Sequence, residues 1–306
     1  MGESKMSNFE SFLDSTCARV SLHYPPETCG SYSSAKDEQS QSQAPIELRH
    51  FWDAYEDWST YGVSVPLWIE DTAKLTQYYT PYLSAIQIFT KPKQIADDSS
   101  ASSSSSSSRT LVAGKSGEVS AECSAQGSDP HRFLTADHLG NLYFQYNETD
   151  KPIDRTPLTY MIAELAEKHH GLFSLKTAEL SQYSWLSIAW YPIYQIPSMK
   201  YWRELSACFL TYHGLTPTIP GALPNDGKAK ANVGSSNAKV AVPAFGAVTL
   251  DGYNRFWAGA GMLCLARMEK LEEAADSWLE TIGFKHSDFD FFRARRPYRP
   301  PITSKR

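Results

Sequence analysis

The chain has no Cys-x-x-Cys pair. Its five cysteines, Cys17, Cys29, Cys123, Cys208 and Cys264, are odd in number and widely spaced, which excludes a zinc ribbon and a redox dithiol. The His-Glu-x-x-His pattern is missing as well. His169 and His170 are adjacent, so on a helix they splay about 100° apart and cannot both face one ion. Cys208 and His213 lie an odd number of residues apart on one predicted strand and point to opposite faces. No metal is expected. Nucleotide motifs fail in turn. "GALPNDGK" (Gly221 to Lys228) has one residue too many between its glycines for a P-loop and no Ser or Thr after the lysine. "GAGMLC" (Gly259 to Cys264) puts Cys264 where a dinucleotide fingerprint needs its third glycine. A Gly-x-Ser-x-Gly elbow is absent. No cofactor is expected.

No apolar run reaches the length of a membrane span. The start, "MGESKMSNFE", lacks the apolar segment of a signal peptide, and Met6 stands where a myristoylation pattern needs Ser or Thr. The reading is a cytoplasmic and/or nuclear protein, not secreted, with reduced thiols and no membrane partner. The Asn147-Glu148-Thr149 sequon is then a chance match. Strong charge of one sign is also lacking. A net charge of −5 argues against a chain-wide nucleic-acid footprint. The exception is the basic tail 293–306, "RARRPYRPPITSKR", where Arg293, Arg295, Arg296 and Arg299 could add weak attraction to an anionic partner.

What the chain does have is aromatic and apolar bulk: 42% of 306 residues are apolar and 13% aromatic. Three stretches stand outside this pattern, at about 27–43, 93–130 and 217–239. They are rich in Ser, Gln, Gly and charge, with an unbroken serine run from Ser102 to Ser108. They cannot bury enough apolar area to offset chain entropy. They read as disordered insertions in a single domain.

The rest is patterned. Ser7 and Glu10 form a capping box before Phe9, Phe12, Leu13, Cys17 and Val20 at helical spacing. "IELRHFWDAYEDWSTYG" (Ile46 to Gly62) sets Leu48, Phe51, Trp52, Tyr55 and Trp58 on one helical stripe stopped by Gly62. "VPLWI", "YLSAIQIFT" and "NLYFQYNE" read as strands. Thr156-Pro157 opens a helix carrying Leu158, Met161, Ile162, Leu165 and Ala166, with Gly171 as its end. In "SWLSIAWYPIYQIP" (Ser184 to Pro197) both faces of a strand are apolar, so it belongs inside a covered sheet. A second strand covers Leu205 to His213. A hairpin is expected around Asp251-Gly252, then a long helix through Cys264, Met268, Leu271, Ala275, Trp278 and Ile282. Gly283 ends it, and Ser287 with Asp290 caps a last turn. The fold class is α+β: a mainly antiparallel sheet with helices packed on its faces.

Two functional readings remain. Helix residues Trp52, Tyr55, Trp58 and Tyr61 cannot all face one core, so part of this aromatic area is a candidate anchor for another protein. Tyr194, Tyr212 and Arg255 lie near strand ends, where binding residues concentrate. The first reading is a non-enzymatic protein-binding or adaptor module with other proteins as partners. The second is a hydrolase-like or small-molecule-binding enzyme with His213 and Asp251 as an acid–base pair at the strand ends.

The segments "FWDAYEDWSTYGVSVPL", "QYYTPYLSAIQIF", "SWLSIAWYPIYQIP", "LSACFLTYH" and "HSDFDFF" occur in this order. Together they resemble the plant family called domain of unknown function 789. That resemblance implies a plant-specific, intracellular, single-domain group with Ser-rich insertions, and it brings no catalytic residue with it.

Overall fold

Ser7 opens the first helix as its spacing from Glu10 predicts. Its hydroxyl accepts the Glu10 N–H at 3.2 Å while the Glu10 carboxylate accepts the Ser7 N–H at 2.9 Å, so two orphan donors are satisfied reciprocally. The helix, α1 (Asn8–Ser15), buries Phe9 and Phe12. It does not continue to Cys17 and Val20 as their spacing suggests. The Thr16 hydroxyl donates back to the Phe12 carbonyl at 2.7 Å, and the chain turns into a strand, β1 (Ala18–Ser21), paired antiparallel with Lys239–Val242. The computed structural model describes residues 6–21, 46–69, 73–92, 136–196, 205–216, 239–250, 254–259 and 262–295. The expected insertions, apart from Lys239, lie outside the described residues, as does the basic tail beyond Arg295.

The stripe from Ile46 to Gly62 forms two short helices, α2 (Leu48–Asp53) and α3 (Glu56–Tyr61), separated at Ala54–Tyr55. Gly62 ends the second with φ 79° and ψ 156°, a conformation nearly confined to glycine. Then follow β2 (Val63–Ile69) and the 18-residue β3 (Ala73–Thr90). After residue 135 come α4 (Ala136–Leu139), β4 (Asn141–Asn147), α5 (Leu158–Lys168), α6 (Gly171–Ser174) and β5 (Trp185–Pro192). Gly171 thus starts α6 rather than ending α5. The remaining elements are β6 (Cys208–Gly214), β7 (Lys239–Val242), β8 (Gly246–Leu250), α7 (Asn254–Ala258), α8 (Met262–Ile282) and α9 (Ser287–Ala294). The two arms expected to pair around Asp251 do not pair with each other. β8 pairs with β6, and Asn254–Ala258 is helical, because Phe256, Trp257 and Ala258 pack inward.

The main sheet is antiparallel in the order β2-β3-β5-β6-β8, with β4 beside the far half of β3. β5 sits inside it, as a strand apolar on both faces must. Leu186, Ile188 and Trp190 enter one core, where α1, α2, α5 and α7 supply Phe12, Phe51, Ile162 and Trp257. Trp185 and Ala189 enter the other, closed by Trp278 and Ile282 of α8 and by Phe289 and Phe292 of α9. Each large side chain in these cores contributes about 1.5–3 kcal/mol through burial.

Sheet edges are guarded differently. On β2, Pro66 removes a donor, and the Asn8 side-chain amide grips the Trp68 backbone, accepting its N–H at 2.8 Å and donating to its carbonyl at 3.3 Å. α8 runs past β8, close enough that a Cβ on Gly246 would meet Ala275 at 3.0 Å.

Candidate binding surface

The sequence-predicted residues divide sharply by exposure. Trp52 is only 3% exposed, and its indole donates to the Leu172 carbonyl at 2.6 Å. Tyr55 is buried, lies edge-on to Trp58 at 5.3 Å between ring centroids, and has its phenol pushed up by burial. Neither is an outward anchor. The turn at Ala54–Tyr55 resets the helical stripe, so both face the core. Trp58 is half-buried against Trp190. Tyr212 is also interior, stacked on Trp185 at 5.8 Å. Arg255 falls within α7, but its side chain lies outside the described residues.

His213 is buried rather than poised in a cavity. The Val242 carbonyl can only accept, so the 3.1 Å contact assigns the proton to Nδ1. Nε2 then accepts from the Thr211 hydroxyl at 2.8 Å, and that oxygen accepts the Trp190 indole N–H at 2.9 Å. Burial pushes the His213 pKa down to about 4, so the ring is neutral and fully hydrogen-bonded. Asp251 lies outside the described residues. The strand leading to it ends at Leu250, opposite Cys208, five residues and roughly 17 Å along β6 from His213. The register gives no support to a His213–Asp251 pair.

A second constellation went unread in the sequence. β3 carries an irregularity between Leu83 and Ala85, which aims the Ser84 hydroxyl at α9. Ser84 donates to the Asp288 carboxylate. Arg155 clamps the same carboxylate bidentately at 2.7 and 2.7 Å. His286 caps α9 in place of Ser287, its Nδ1 accepting the Phe289 N–H at 2.9 Å. Its proton therefore sits on Nε2, 3.4 Å from Ser84. Ser, His and Asp are all present, but the order is wrong for a nucleophile. The imidazole nitrogen facing Ser84 already holds its proton, and the Ser84 proton goes to a carboxylate neutralised by Arg155. Arg155 and Asp288 side chains are only 4% and 6% exposed, so the cluster holds α9 to the sheet. Asn147 serves the same end, donating to the Lys285 carbonyl and the Ser287 hydroxyl at 3.1 Å each. Its amide is therefore occupied, which disfavours its use as a glycan acceptor.

A cleft of about 490 Å³ opens beside α1, β1 and α3, with Asp14, Cys17, Arg19, Asp53, Trp58 and Lys239 on its wall. Burial pushes the Cys17 thiol up, which leaves it protonated and weakly nucleophilic. Asp14 and Arg19 pair at 3.5 Å.

The exposed apolar residues converge elsewhere. Tyr61 is 77% exposed. The next residue, Gly62, lies so close to Ile193 that an added Cβ would stand 2.8 Å from its Cδ1. The Ile193 N–H donates to the Tyr78 carbonyl at 2.9 Å, and the Tyr78 and Tyr194 rings lie 6.5 Å apart. Tyr194 is held by its hydroxyl, which donates to the Thr76 carbonyl. Gln77 donates to the Tyr194 carbonyl at 3.0 Å. Tyr61, Tyr78, Ile193 and Tyr194 are thus all exposed and carried by neighbouring backbone. They include two of the sequence-predicted residues, Tyr61 and Tyr194, and two that were not singled out.

A family model described as "Protein of unknown function (DUF789)" matches residues 7–292. The chain belongs to that family. No curated protein and no solved structure matches it. The span matched to the DUF789 family begins at the Ser7 cap and ends at Phe292, the last core residue of α9. It takes in both cores and the Ser84–Arg155–Asp288 cluster. Among the described residues of this DUF789 chain, no three His, Cys, Asp or Glu side chains gather as a metal centre, and no helix is long and apolar enough to cross a membrane. Arg293 and Arg295 of the basic tail lie over Phe289 and Phe291, with Arg293 also paired to Asp276 at 2.8 Å. Arg296 and Arg299 lie outside the described residues.

Proposed function

We propose that this protein is a non-enzymatic binding module that docks another protein on the patch formed by Tyr61, Tyr78, Ile193 and Tyr194. The observation that supports this reading most directly is their joint exposure on a braced backbone. Tyrosines offer large contact area and a hydrogen-bonding hydroxyl while fixing only two torsions, a combination that suits them to contact hot spots. None of the four is charged. The fitting partner therefore presents apolar side chains with backbone groups free to meet the Tyr61 and Tyr78 hydroxyls. The enzyme reading draws no comparable support, since His213 is sealed in the core and the Ser84–His286–Asp288 protons run the wrong way.

The test is affinity capture with the wild type and a Tyr61→Ala/Ile193→Ser double variant, both checked for unchanged thermal unfolding. The expected result is that proteins held by the wild type are lost from the variant, with at least a tenfold drop in affinity for each once purified, about 1.4 kcal/mol. Equal retention by both chains rejects the patch as the docking surface.

A further inference from the structure

The β4 strand, "NLYFQYN", is a sheet edge of a different kind from the others. Among the described residues it pairs only with β3, and no strand or turn bonds its outer side. Alternate residues of such a strand present unpaired N–H and C=O groups outward. Asn141, Leu142, Tyr143 and Gln145 are exposed, with Leu142 at 54% and Tyr143 at 42%. Edges are protected by Pro, charge, a bulge or a covering group, as β2 is by Pro66 and the Asn8 clamp. β4 has no Pro and no charged residue in its seven positions; its one irregularity is at Tyr143, between Leu142 opposite Phe89 and Phe144 opposite Ile88, and the Tyr143 hydroxyl accepts the Gly171 N–H at 3.1 Å.

We propose that β4 is a self-association edge, on which a second copy of this chain adds its own β4 antiparallel to form a two-fold dimer with one continuous sheet. The occupant follows from the strand's chemistry. Like charges facing each other across strands are destabilising. A strand without charge meets none in any antiparallel register with itself. Leu142, Tyr143 and Tyr146 supply β-prone cross-strand partners to each other. Two-fold closure uses the one edge completely on each subunit, so assembly stops at the dimer. This surface is separate from the tyrosine patch around Tyr61, and the two proposals stand or fall independently.

The experiment is sedimentation velocity on the full chain over rising concentration, with hydrogen exchange on the same samples. The wild type is expected to move to twice the 34.3 kDa chain mass, with β4 amides gaining protection as it does. Leu142→Lys sets two ammonium groups at the joint and is expected to weaken association about tenfold or more. Ile153→Lys alters a residue 90% exposed outside the strand and is expected to leave it unchanged. Three results overturn the proposal. The first is a wild type that stays monomeric, including one whose β4 amides gain protection only from an added foreign peptide. The second is β4 amides protected to the same degree at every concentration, which means the chain covers its own edge. The third is a Leu142→Lys dimer as tight as the wild type.

Discussion

The buried pair between Arg155 and Asp288 gives the sharpest quantitative test of the packing described above. Both side chains are almost completely removed from solvent, and the carboxylate receives two guanidinium bonds and the Ser84 hydroxyl. Arg155→Met leaves a buried carboxylate with one neutral donor. Asp288→Leu leaves a buried guanidinium facing the Asp150 carbonyl, 2.9 Å from Nε, and the Tyr191 ring, with no carboxylate bonded to it among the described residues. Loss of one member of such a pair costs about 3–5 kcal/mol, a large part of a usual total near 5–15 kcal/mol. The double variant Arg155→Met/Asp288→Leu removes both charges and substitutes apolar volume, so its cost is expected to fall to about 0–2 kcal/mol. The coupling in the cycle is then several kcal/mol and outside the range of exposed pairs. Urea unfolding followed by tryptophan fluorescence reads it as midpoint shifts at constant m. It is also nearly insensitive to added salt, because a pair this buried is poorly screened. Single variants that each cost under about 1 kcal/mol, or costs that simply add, would refute the account of α9 docking.

Two further perturbations follow from local geometry. His213 and His286 are both held by burial near pKa 4, against 6.5 for an ordinary histidine. The unfolded chain takes up protons that the folded chain refuses, so stability is complete above about pH 6.5 and falls as pH drops toward 4. At about 1.4 kcal/mol per unit the loss approaches 3 kcal/mol per ring. Urea midpoints measured from pH 7 to 4.5 should show this slope, with about half of it gone in His213→Gln; a flat profile contradicts the burial of these rings. Gly62→Ala forces a side chain into φ 79° and sets its Cβ 2.9 Å from the Tyr79 carbonyl oxygen. A loss of about 1–3 kcal/mol is expected in thermal unfolding, and an unchanged melting temperature would show that this turn can relax.

What the sequence made legible was whatever depends on neighbours within a few turns of chain. The Ser7–Glu10 box, the two-faced β5, the glycine stops at Gly62 and Gly283, and the long α8 are all signals written within a short stretch of chain. Cys17 and Val20 misled because their helical spacing continues that of Phe9 and Phe12, whereas β1 exists through pairing with residues 239–242, more than two hundred positions away. Asp251-Gly252 suggested a hairpin for a similar reason: turn chemistry says that the chain bends, and tertiary contact decides whether a strand or a helix follows.

The same distinction explains the site. Trp52 and Tyr61 are indistinguishable by composition, both aromatic and nine positions apart on what looked like one helix. The break at Ala54–Tyr55 and the Leu172 carbonyl turn Trp52 inward, while Tyr61 stays exposed next to Gly62, which itself lies against Ile193. Ser84, Arg155 and Asp288 come from three separate elements and meet only because one strand irregularity re-aims a hydroxyl. Each polar group of that cluster is consumed by another, as His213 is by Thr211 and Val242. A reactive site needs a group left unfinished, with a lone pair or proton facing space that a substrate can enter. In this fold the polar groups of the Ser84 cluster and of His213 are finished and interior. Left open among the described residues are apolar area at Tyr61 and Ile193 and the outer backbone groups of β4, and these are the surfaces on which the two proposals rest.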